Sequence, residues 1–113
     1  MKGGMMYEQR DIILIPFPYS DLTKNKLRPA IIISNKKLNR TSDRICCLIT
    51  SNPTAKGITI QEKHLEKGKL PFQSKIKPQR IFTVEKTIIR KKLNTITKKL
   101  HEEIIEEINN YLI

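Results

Sequence analysis

Short apolar runs separated by polar turns predict a domain built mainly from β-strands. We expect strands at residues 11–15, 29–34, 44–50, 58–60, 73–77 and 80–84. Proline, glycine and asparagine lie between these runs, as is typical of short strands joined by turns. Such regular spacing favours a small barrel over a parallel sheet. Residues 1–113 show no repeat and no linker, so we expect a single domain.

Prolines and polar residues mark the boundaries of the first two strands. Pro16 and Pro18 follow the first apolar run. Because proline donates no hydrogen bond to a ladder, we expect that strand to end before Pro16. Residues 19–27 are polar and charged, which indicates a surface loop. The second strand carries the sequence Ala-Ile-Ile-Ile at residues 30–33, which predicts burial on both of its faces. A short helical turn is expected at residues 35–40.

The apolar spacing becomes helical from residue 101 onward. Apolar residues recur at helical spacing, and four glutamates lie opposite them. The apolar residues are Ile104, Ile105, Ile108, Tyr111 and Leu112. This pattern predicts an amphipathic helix at the end of the chain. We expect its apolar face to pack on the barrel of the same chain rather than at a dimer interface.

The chain is strongly basic. It has 22 Lys and Arg residues against 11 Asp and Glu, a net charge of +11. Four of the acids lie in the last thirteen residues, which contain no Lys or Arg. The 22 basic and 7 remaining acidic residues therefore give residues 1–100 a charge of +15. A domain of this charge attracts polyanions, because binding releases their condensed counterions. Nucleic acid is one candidate ligand, and a surface merely solvated by lysines is the alternative.

The positions of the cysteines and histidines indicate a reducing compartment and give no sign of a metal site. Cys46 and Cys47 are adjacent, so they point to opposite faces of a strand and a disulfide between them would be strained. We expect one buried and one outward thiol in a reducing cytoplasm. His64 and His101 are isolated and give no metal-ligand spacing. No apolar segment approaches the roughly 20 residues that span a bilayer, and the first residues lack a secretory signal.

A single arginine at the start of the second strand is the first candidate for chemistry. Arg28 directly precedes Pro29, which biases its backbone to an extended geometry. Its guanidinium can bind a phosphate through two parallel hydrogen bonds, and it stays charged at any relevant pH. Beside a scissile phosphate it would stabilise the charge that develops in the transition state. The alternative is a structural ion pair with Asp21 or Glu85.

Hydroxyl, aromatic and basic side chains near the strand ends are the other candidates. Thr50 and Ser51 end a strand before a proline turn. A hydroxyl there could orient a ribose 2'-OH, or simply make a strand-end hydrogen bond. Phe17 and Tyr19 could stack on bases or belong to the core. Cations that could contact phosphates, or be merely solvated, are Lys24, Lys26, Lys56, Lys75, Lys77 and Arg80.

The chain closely resembles the PemK/MazF toxins of type II toxin-antitoxin systems in the order and spacing of several blocks. The most specific block is Asp-Ile-Ile-Leu-Ile-Pro-Phe-Pro-Tyr-Ser-Asp-Leu at residues 11–22, followed by Arg-Pro-Ala-Ile-Ile-Ile-Ser at residues 28–34. Further matches are residues 48–51, the Lys-Leu-Pro turn at 69–71, residues 74–86 and the terminal helix. The resemblance therefore covers nearly the whole chain.

The resemblance implies an SH3-like antiparallel barrel, usually a homodimer, that cuts single-stranded RNA such as mRNA without a metal ion or another cofactor. In that reaction the ribose 2'-OH attacks the adjacent phosphate and leaves a 2',3'-cyclic phosphate and a 5'-OH. Arg28 falls on the family's catalytic arginine and Thr50 on its catalytic hydroxyl residue. Residues 19–27 match a loop that borders the RNA groove and is displaced or covered by the antitoxin. Expected substrate-binding residues are Tyr19, Ser20, Lys24, Ser51, Lys77, Gln79 and Arg80.

Four positions depart from the family pattern. Arg10 replaces the usual glycine before the first strand, and Phe82 replaces a frequent arginine. Lys77 and Gln79 lie where some members carry an arginine and an aspartate that assist cleavage. An amide cannot act as a carboxylate base, so the arginine and the hydroxyl residue named above remain the main catalytic candidates.

Two rival functions stay open. Toxins of the same fold that bind DNA gyrase have no nuclease activity, and a catalytically silent barrel would bind RNA without cutting it. For the toxin, an antitoxin with an acidic and initially disordered segment is the expected partner, because it would bind the basic groove and displace RNA.

Overall fold

A computed structural model of the protein describes residues 6–17 and 26–113. Its elements follow one another as β1 (Asp11–Phe17), β2 (Lys26–Ile32), α1 (Lys36–Asn39), β3 (Asp43–Thr50), β4 (Ile58–Thr59), β5 (Lys75–Glu85), β6 (Lys91–Thr95) and α2 (Lys98–Leu112). The predicted class, mainly β with a C-terminal helix, is confirmed. The short helical turn expected at residues 35–40 is confirmed as α1.

The six strands form one antiparallel sheet in the order β4-β5-β3-β2-β1-β6. The sheet curls into a half-barrel, and the segment after β4 partly bridges its two edges. The Glu66 amide donates to the Thr95 carbonyl at 2.9 Å, and Leu65 forms an isolated bridge with Ile96. The chain that leaves β4 therefore reaches the end of β6, which satisfies backbone groups that an open edge would expose.

Each face of the sheet carries an apolar cluster, because successive side chains of a strand point to opposite sides. The first cluster lies under α2 and contains Ile12, Ile31, Cys47, Ile49, Ile76, Ile96, Leu100, Ile104 and Ile108. The second cluster, on the other face, contains Ile13, Ile15, Ala30, Ile32, Cys46, Val84 and Ile89. Each isoleucine fully removed from water contributes roughly 1.5–3 kcal/mol. Burial on both faces of β2 is therefore confirmed.

The two adjacent cysteines are both buried, so the prediction of one outward thiol is wrong. Cys46 and Cys47 each have 0% of their surface exposed. A strand residue reaches solvent only where its face is open, and β3 is covered on both faces, with Cys46 in the second cluster and Cys47 in the first. Burial raises the pKa of each thiol to about 12. Both residues therefore act as small apolar side chains.

β1 continues through Pro16, so the prediction that this strand ends before it is wrong. Pro16 faces Leu27 and Phe17 faces Lys26 in the ladder with β2, whereas the pairing with β6 stops at Leu14. Beyond Leu14 the strand has a single strand neighbour among the described residues, so the missing proline amide interrupts no second ladder. β2 consequently begins at Lys26, inside the segment that was predicted to be a loop.

β5 is one long strand rather than the two predicted around Pro78. Its pairing with β3 shifts between Leu48, which faces Lys77, and Cys47, which faces Ile81. The residues in between bulge out, and a bulge is a position where a sheet tolerates proline. β6 was not predicted, because its sequence Lys-Lys-Leu-Asn-Thr has neither an apolar run nor strict alternation.

α2 begins three residues earlier than predicted, because the Thr97 hydroxyl accepts a hydrogen bond from a first-turn amide. Ile104 and Ile108 are buried against the barrel, whereas Tyr111 and Leu112 are 55% and 72% exposed. Packing of the helix on its own barrel is therefore confirmed, except for the last turn, which extends into solvent. Within the part of the chain that the structure describes, no helix is long and apolar enough to cross a membrane.

Residues 6–10, here called the N-terminal segment, are held against β3 by a buried arginine. Arg44 is 1% exposed, and its guanidinium donates to four backbone carbonyls, among them that of Tyr7 at 2.8 Å. Tyr7 and Arg10 have left-handed backbone angles, with φ of 65° and 80°, which residues other than glycine seldom adopt. Arg10 also donates to the Ile96 carbonyl at 2.7 Å. Side-chain contacts thus hold a strained turn that leads into β1.

Candidate functional site

Arg28 and Thr50 lie at the same end of neighbouring strands, just beyond the last residue pair of the ladder that joins β2 to β3. In the ladder between β2 and β3, Ala30 faces Leu48, and Arg28 and Thr50 each lie two positions further along their strands. Residues two apart on a strand share a face, so both side chains lie on the face of the second cluster. The two catalytic candidates therefore lie at the same end of the sheet.

Two adjoining cavities border this position. One has a volume of about 280 Å³, and its wall includes Arg28, Ser51 and Phe72. The other has a volume of about 340 Å³, and its wall includes Thr50, Ser51 and Gln73. Ser51 lines both cavities, so the two cavities share one rim. We call this region, formed by Arg28, Thr50, Ser51 and the two cavities, the rim site.

The Thr50 hydroxyl has one defined partner. Its oxygen accepts a hydrogen bond from the Asn52 amide at 3.1 Å, so the strand-end hydrogen bond that we weighed against a catalytic role is present. A hydroxyl oxygen has a second lone pair and carries its own proton. Thr50 can therefore hold this turn and still donate a hydrogen bond to a ligand.

A lysine on β5 supports the turn next to Thr50. Lys75 faces Thr50 in the ladder between β3 and β5. Its ammonium donates to the Pro53 carbonyl at 3.0 Å and to the Ala55 carbonyl at 2.8 Å. Two of its three donors are therefore committed to the loop after β3. Lys75 shapes the 340 Å³ cavity and leaves one donor for an anion.

The other predicted binding residues differ in how close they lie to the rim site. Lys77 faces Leu48 on β3, so it is two positions from Lys75 on the same face. Gln79 and Arg80 are exposed in the bulge of β5, which places them further along the strand. Two further lysines proposed to contact phosphates differ: Lys26 lines the Arg28 cavity, while exposed Lys56 lies in the loop before β4.

Some of the predicted residues lie outside the described part of the chain. They are Tyr19, Ser20 and Lys24, together with Asp21, one of the two acids weighed as an ion-pair partner of Arg28. The other acid, Glu85, faces Asp43 in the β3 ladder. That position is seven residues from Thr50, or about 23 Å along the strand. An ion pair between Arg28 and Glu85 is therefore excluded by distance.

Several residues of the rim site were not predicted from the sequence. Phe72 lines the Arg28 cavity, and the side chains of Asn52, Thr59 and Gln73 line the Thr50 cavity. No motif marks them, because all except Thr59 of β4 come from the loops before β4 and β5, and they meet the rim only after the sheet has paired. In the described residues, no carboxylate lines either cavity, and no group of three or more His, Cys, Asp or Glu could hold a metal ion.

Several solved structures share this fold. An endoribonuclease from a Mycobacterial species, in complex with its cognate antitoxin, superposes with a TM-score of 0.70 at 17% identity, covering 93% of each chain. A MazE-MazF complex from Deinococcus radiodurans gives a TM-score of 0.69 at 14% identity, also with 93% of each chain covered. At such low identity the likeness establishes the fold alone.

The sequence comparison gives the family. No curated protein matches the chain significantly. A model of the family described as PemK-like, MazF-like toxin of type II toxin-antitoxin system matches residues 8–112, which is nearly the whole chain. The match includes every strand and both helices described above. The chain therefore belongs to the PemK-like, MazF-like toxins of type II toxin-antitoxin systems.

Proposed function

We propose that this protein is a metal-independent endoribonuclease toxin that cleaves single-stranded RNA, mRNA included, in the cytoplasm. The observation that supports the proposal is that Arg28 and Thr50 lie at one end of the sheet, each in the wall of a cavity that Ser51 also lines. Lys26, Lys75 and Lys77 lie around that position, so the rim has the positive charge that a phosphodiester backbone requires. Family membership and the endoribonuclease neighbours support the same activity.

The reaction that fits these side chains is transesterification within the RNA. The ribose 2'-oxygen forms a bond to the adjacent phosphorus and the bond from phosphorus to the 5'-oxygen breaks. The 2'-OH gives up its proton to solvent, and the departing 5'-oxygen takes one up from solvent. The products carry a 2',3'-cyclic phosphate and a 5'-OH. Arg28 would bind the non-bridging oxygens through two parallel hydrogen bonds and stabilise their growing charge. Thr50 would orient the 2'-OH or relay its proton through hydrogen bonds.

The partners we propose are a cognate antitoxin and a second copy of the chain. The Mycobacterial endoribonuclease and the Deinococcus radiodurans MazF form complexes with their antitoxins. For this chain, the charge of +15 on residues 1–100 favours an antitoxin with an acidic segment that competes with RNA. A homodimer would place two rim sites in one particle.

The test is cleavage of a long single-stranded RNA by Arg28→Ala, with mapping of the product ends. Deleting a donor to a developing oxyanion costs about 3 kcal/mol, so we expect a loss of roughly 150-fold in kcat. Arg28→Lys should lose part of the rate, since lysine keeps the charge without the planar fork. The matched control is Arg40→Ala, an exposed arginine after α1, which should cleave normally. Native-rate cleavage by Arg28→Ala would refute the proposal.

Two rival functions each have one observation in their favour. The exposed last turn of α2, with Tyr111, Leu112 and Ile113, would suit a protein target such as DNA gyrase. The absence of a carboxylate from the described walls of the rim site would suit an RNA-binding barrel without activity. Wild-type protein that inhibits gyrase and leaves RNA intact supports the first rival. Retarded but uncut RNA on a gel supports the second.

A further inference from the structure

A further cavity lies away from the rim site. It has a volume of about 630 Å³ and lies between the N-terminal segment and the start of β6. Its size is within the range of about 300–1,000 Å³ that is usual for ligand sites. The charged residues in its wall are Glu8, Arg10, Asp11, Arg90, Lys91 and Lys92.

Two of the four cations in this wall are already neutralised by acids. Asp11 is 4% exposed, and its carboxylate accepts from the Thr95 hydroxyl at 2.9 Å, from the Glu8 amide at 2.8 Å, and lies 3.5 Å from the Lys92 ammonium. Arg10 pairs with Glu66 at 3.3 Å. Asp11 therefore fixes Lys92 and contributes no free negative charge to the cavity.

The other two cations are available to a ligand. Arg90 and Lys91 are exposed, and within residues 6–17 and 26–113 neither forms an ion pair. The Arg90 backbone is held in place, because its amide donates to the Leu14 carbonyl of β1 at 2.9 Å. Both residues line the cavity, and guanidinium and ammonium groups bind phosphate oxygens.

Protection of a sheet edge is the ordinary explanation for lysines on β6, because charges discourage pairing with a second sheet. That explanation does not account for the opposite wall of the cavity. There the N-terminal segment holds Tyr7 and Arg10 at left-handed backbone angles, supported by buried Arg44. Strained residues of this kind cluster at ligand sites. The cavity therefore has two defined walls, one from β6 and one from the N-terminal segment. Protection of the sheet edge would need only the lysines of β6.

Lys92 in the wall of this cavity and Arg28 at the rim site lie on the same face of the sheet. Lys92 faces Ile13 on one side of β1, and Arg28 faces Ile15 on the other side. Ile13 and Ile15 both belong to the second cluster. Two residues along a strand and two strand spacings across it give roughly 12 Å between the Cα atoms of Lys92 and Arg28. One extended polyanion can contact both regions.

We infer that this cavity is a second, non-catalytic phosphate site, which binds the RNA backbone away from the scissile bond through Arg90 and Lys91. The inference rests on the proposed ribonuclease function and assigns a longer footprint to the substrate. Long RNA gains affinity from the cavity, whereas an RNA too short to leave the rim site gains none.

The test compares KM and kcat for a trinucleotide and a 20-nucleotide RNA that contain the same cleavage site. In Arg90→Gln/Lys91→Gln we expect KM for the 20-nucleotide RNA to rise roughly tenfold at 50 mM salt, with kcat unchanged and the trinucleotide unaffected. Two lost phosphate contacts reduce the slope of log affinity against log salt by about 1.4. The ratio of the variant's KM to the wild-type KM for the 20-nucleotide RNA should therefore fall about sevenfold between 50 and 200 mM salt.

The matched control is Lys98→Gln/Lys99→Gln, which removes the same charge from exposed residues of α2. α2 packs on the first cluster, on the other face of the sheet, so this variant should keep the KM of the wild type for both RNAs. An equal rise in KM for the control would show a general charge effect and overturn the inference.

Other outcomes separate this inference from the proposed function. If the wild type cuts neither RNA, the proposed ribonuclease function fails. If the wild type cuts both and the Arg90/Lys91 variant keeps the KM and salt slope of the wild type for the long RNA, only the inference fails. An acidic peptide such as oligoglutamate could bind wild type and not that variant while KM for RNA is unchanged. This result would assign the cavity to a protein partner and overturn the inference.

Discussion

Replacement of Arg10 by glycine should destabilise the protein less than replacement by alanine. At most positions the order is the reverse, because glycine lowers the free energy of unfolding more than alanine does. Arg10 has φ of 80°, which costs an L-residue about 1–2 kcal/mol. Both variants lose the bond of 2.7 Å to the Ile96 carbonyl, worth about 1.5 kcal/mol at a partly buried site. The ion pair with exposed Glu66 adds a few tenths.

Only glycine also relieves the strained backbone. The relief exceeds the roughly 0.4–1 kcal/mol that glycine loses through the greater freedom of the unfolded chain. Arg10→Ala should therefore cost about 1.8 kcal/mol and Arg10→Gly about 1 kcal/mol. Urea unfolding measures this difference of about 0.8 kcal/mol, provided that both variants keep the wild-type slope. Thermal unfolding should separate the two by about 4 °C.

Arg40 supplies the matched control for this comparison. It is exposed and has φ of −73°, where alanine fits without strain, so Arg40→Gly should be less stable than Arg40→Ala. The order of the two variants should thus reverse between positions 10 and 40. If alanine is the more stable replacement at both positions, the left-handed backbone at Arg10 is not a cost and the reasoning is refuted.

Two further predictions concern close packing and the buried thiols. Gly57→Ala should destabilise the protein by about 2 kcal/mol in urea unfolding, because an added Cβ would lie 2.5 Å from the Ile76 carbonyl oxygen of β5; wild-type stability would show that β4 can move away freely. Cys46 and Cys47 should resist a thiol reagent at pH 8 in the native protein and both react in urea, since burial raises the pKa of each to about 12. The unfolded thiols ionise near pH 9 while the folded ones stay protonated, so this contribution to stability is complete below pH 9 and is lost as the pH rises towards 12. Rapid labelling of the native protein would contradict the burial.

The sequence was sufficient where the pattern is local. The helical spacing that gives α2 and the apolar runs that give β2 and β3 depend on residues a few positions apart, and they predicted the elements correctly. Propensity alone did not find β6, whose sequence begins with two lysines and has a single leucine. That strand exists because β1 offers it hydrogen-bond partners, a condition that no local pattern records.

The candidate site shows the same division. Arg28 and Thr50 were chosen from flanking residues and from resemblance to the family. Although they are 22 positions apart in the sequence, the pairing of β2 with β3 puts them at the same end of the sheet. Phe72 and Gln73 reach the rim through β5 and carry no signal of their own. Their contribution could be found only after the strands were paired.

By itself, the sequence determined the mainly β character, the terminal helix, the family and the basic charge, because each of these is a property of neighbouring residues or of their sum. The tertiary structure decided that both cysteines are buried, that β1 passes through Pro16, that Arg10 adopts a left-handed backbone and that two cavities meet at Ser51. These outcomes depend on which strands pair and what covers each face. Pairing of that kind joins residues far apart in the chain, and its free energy appears only when the whole sheet closes.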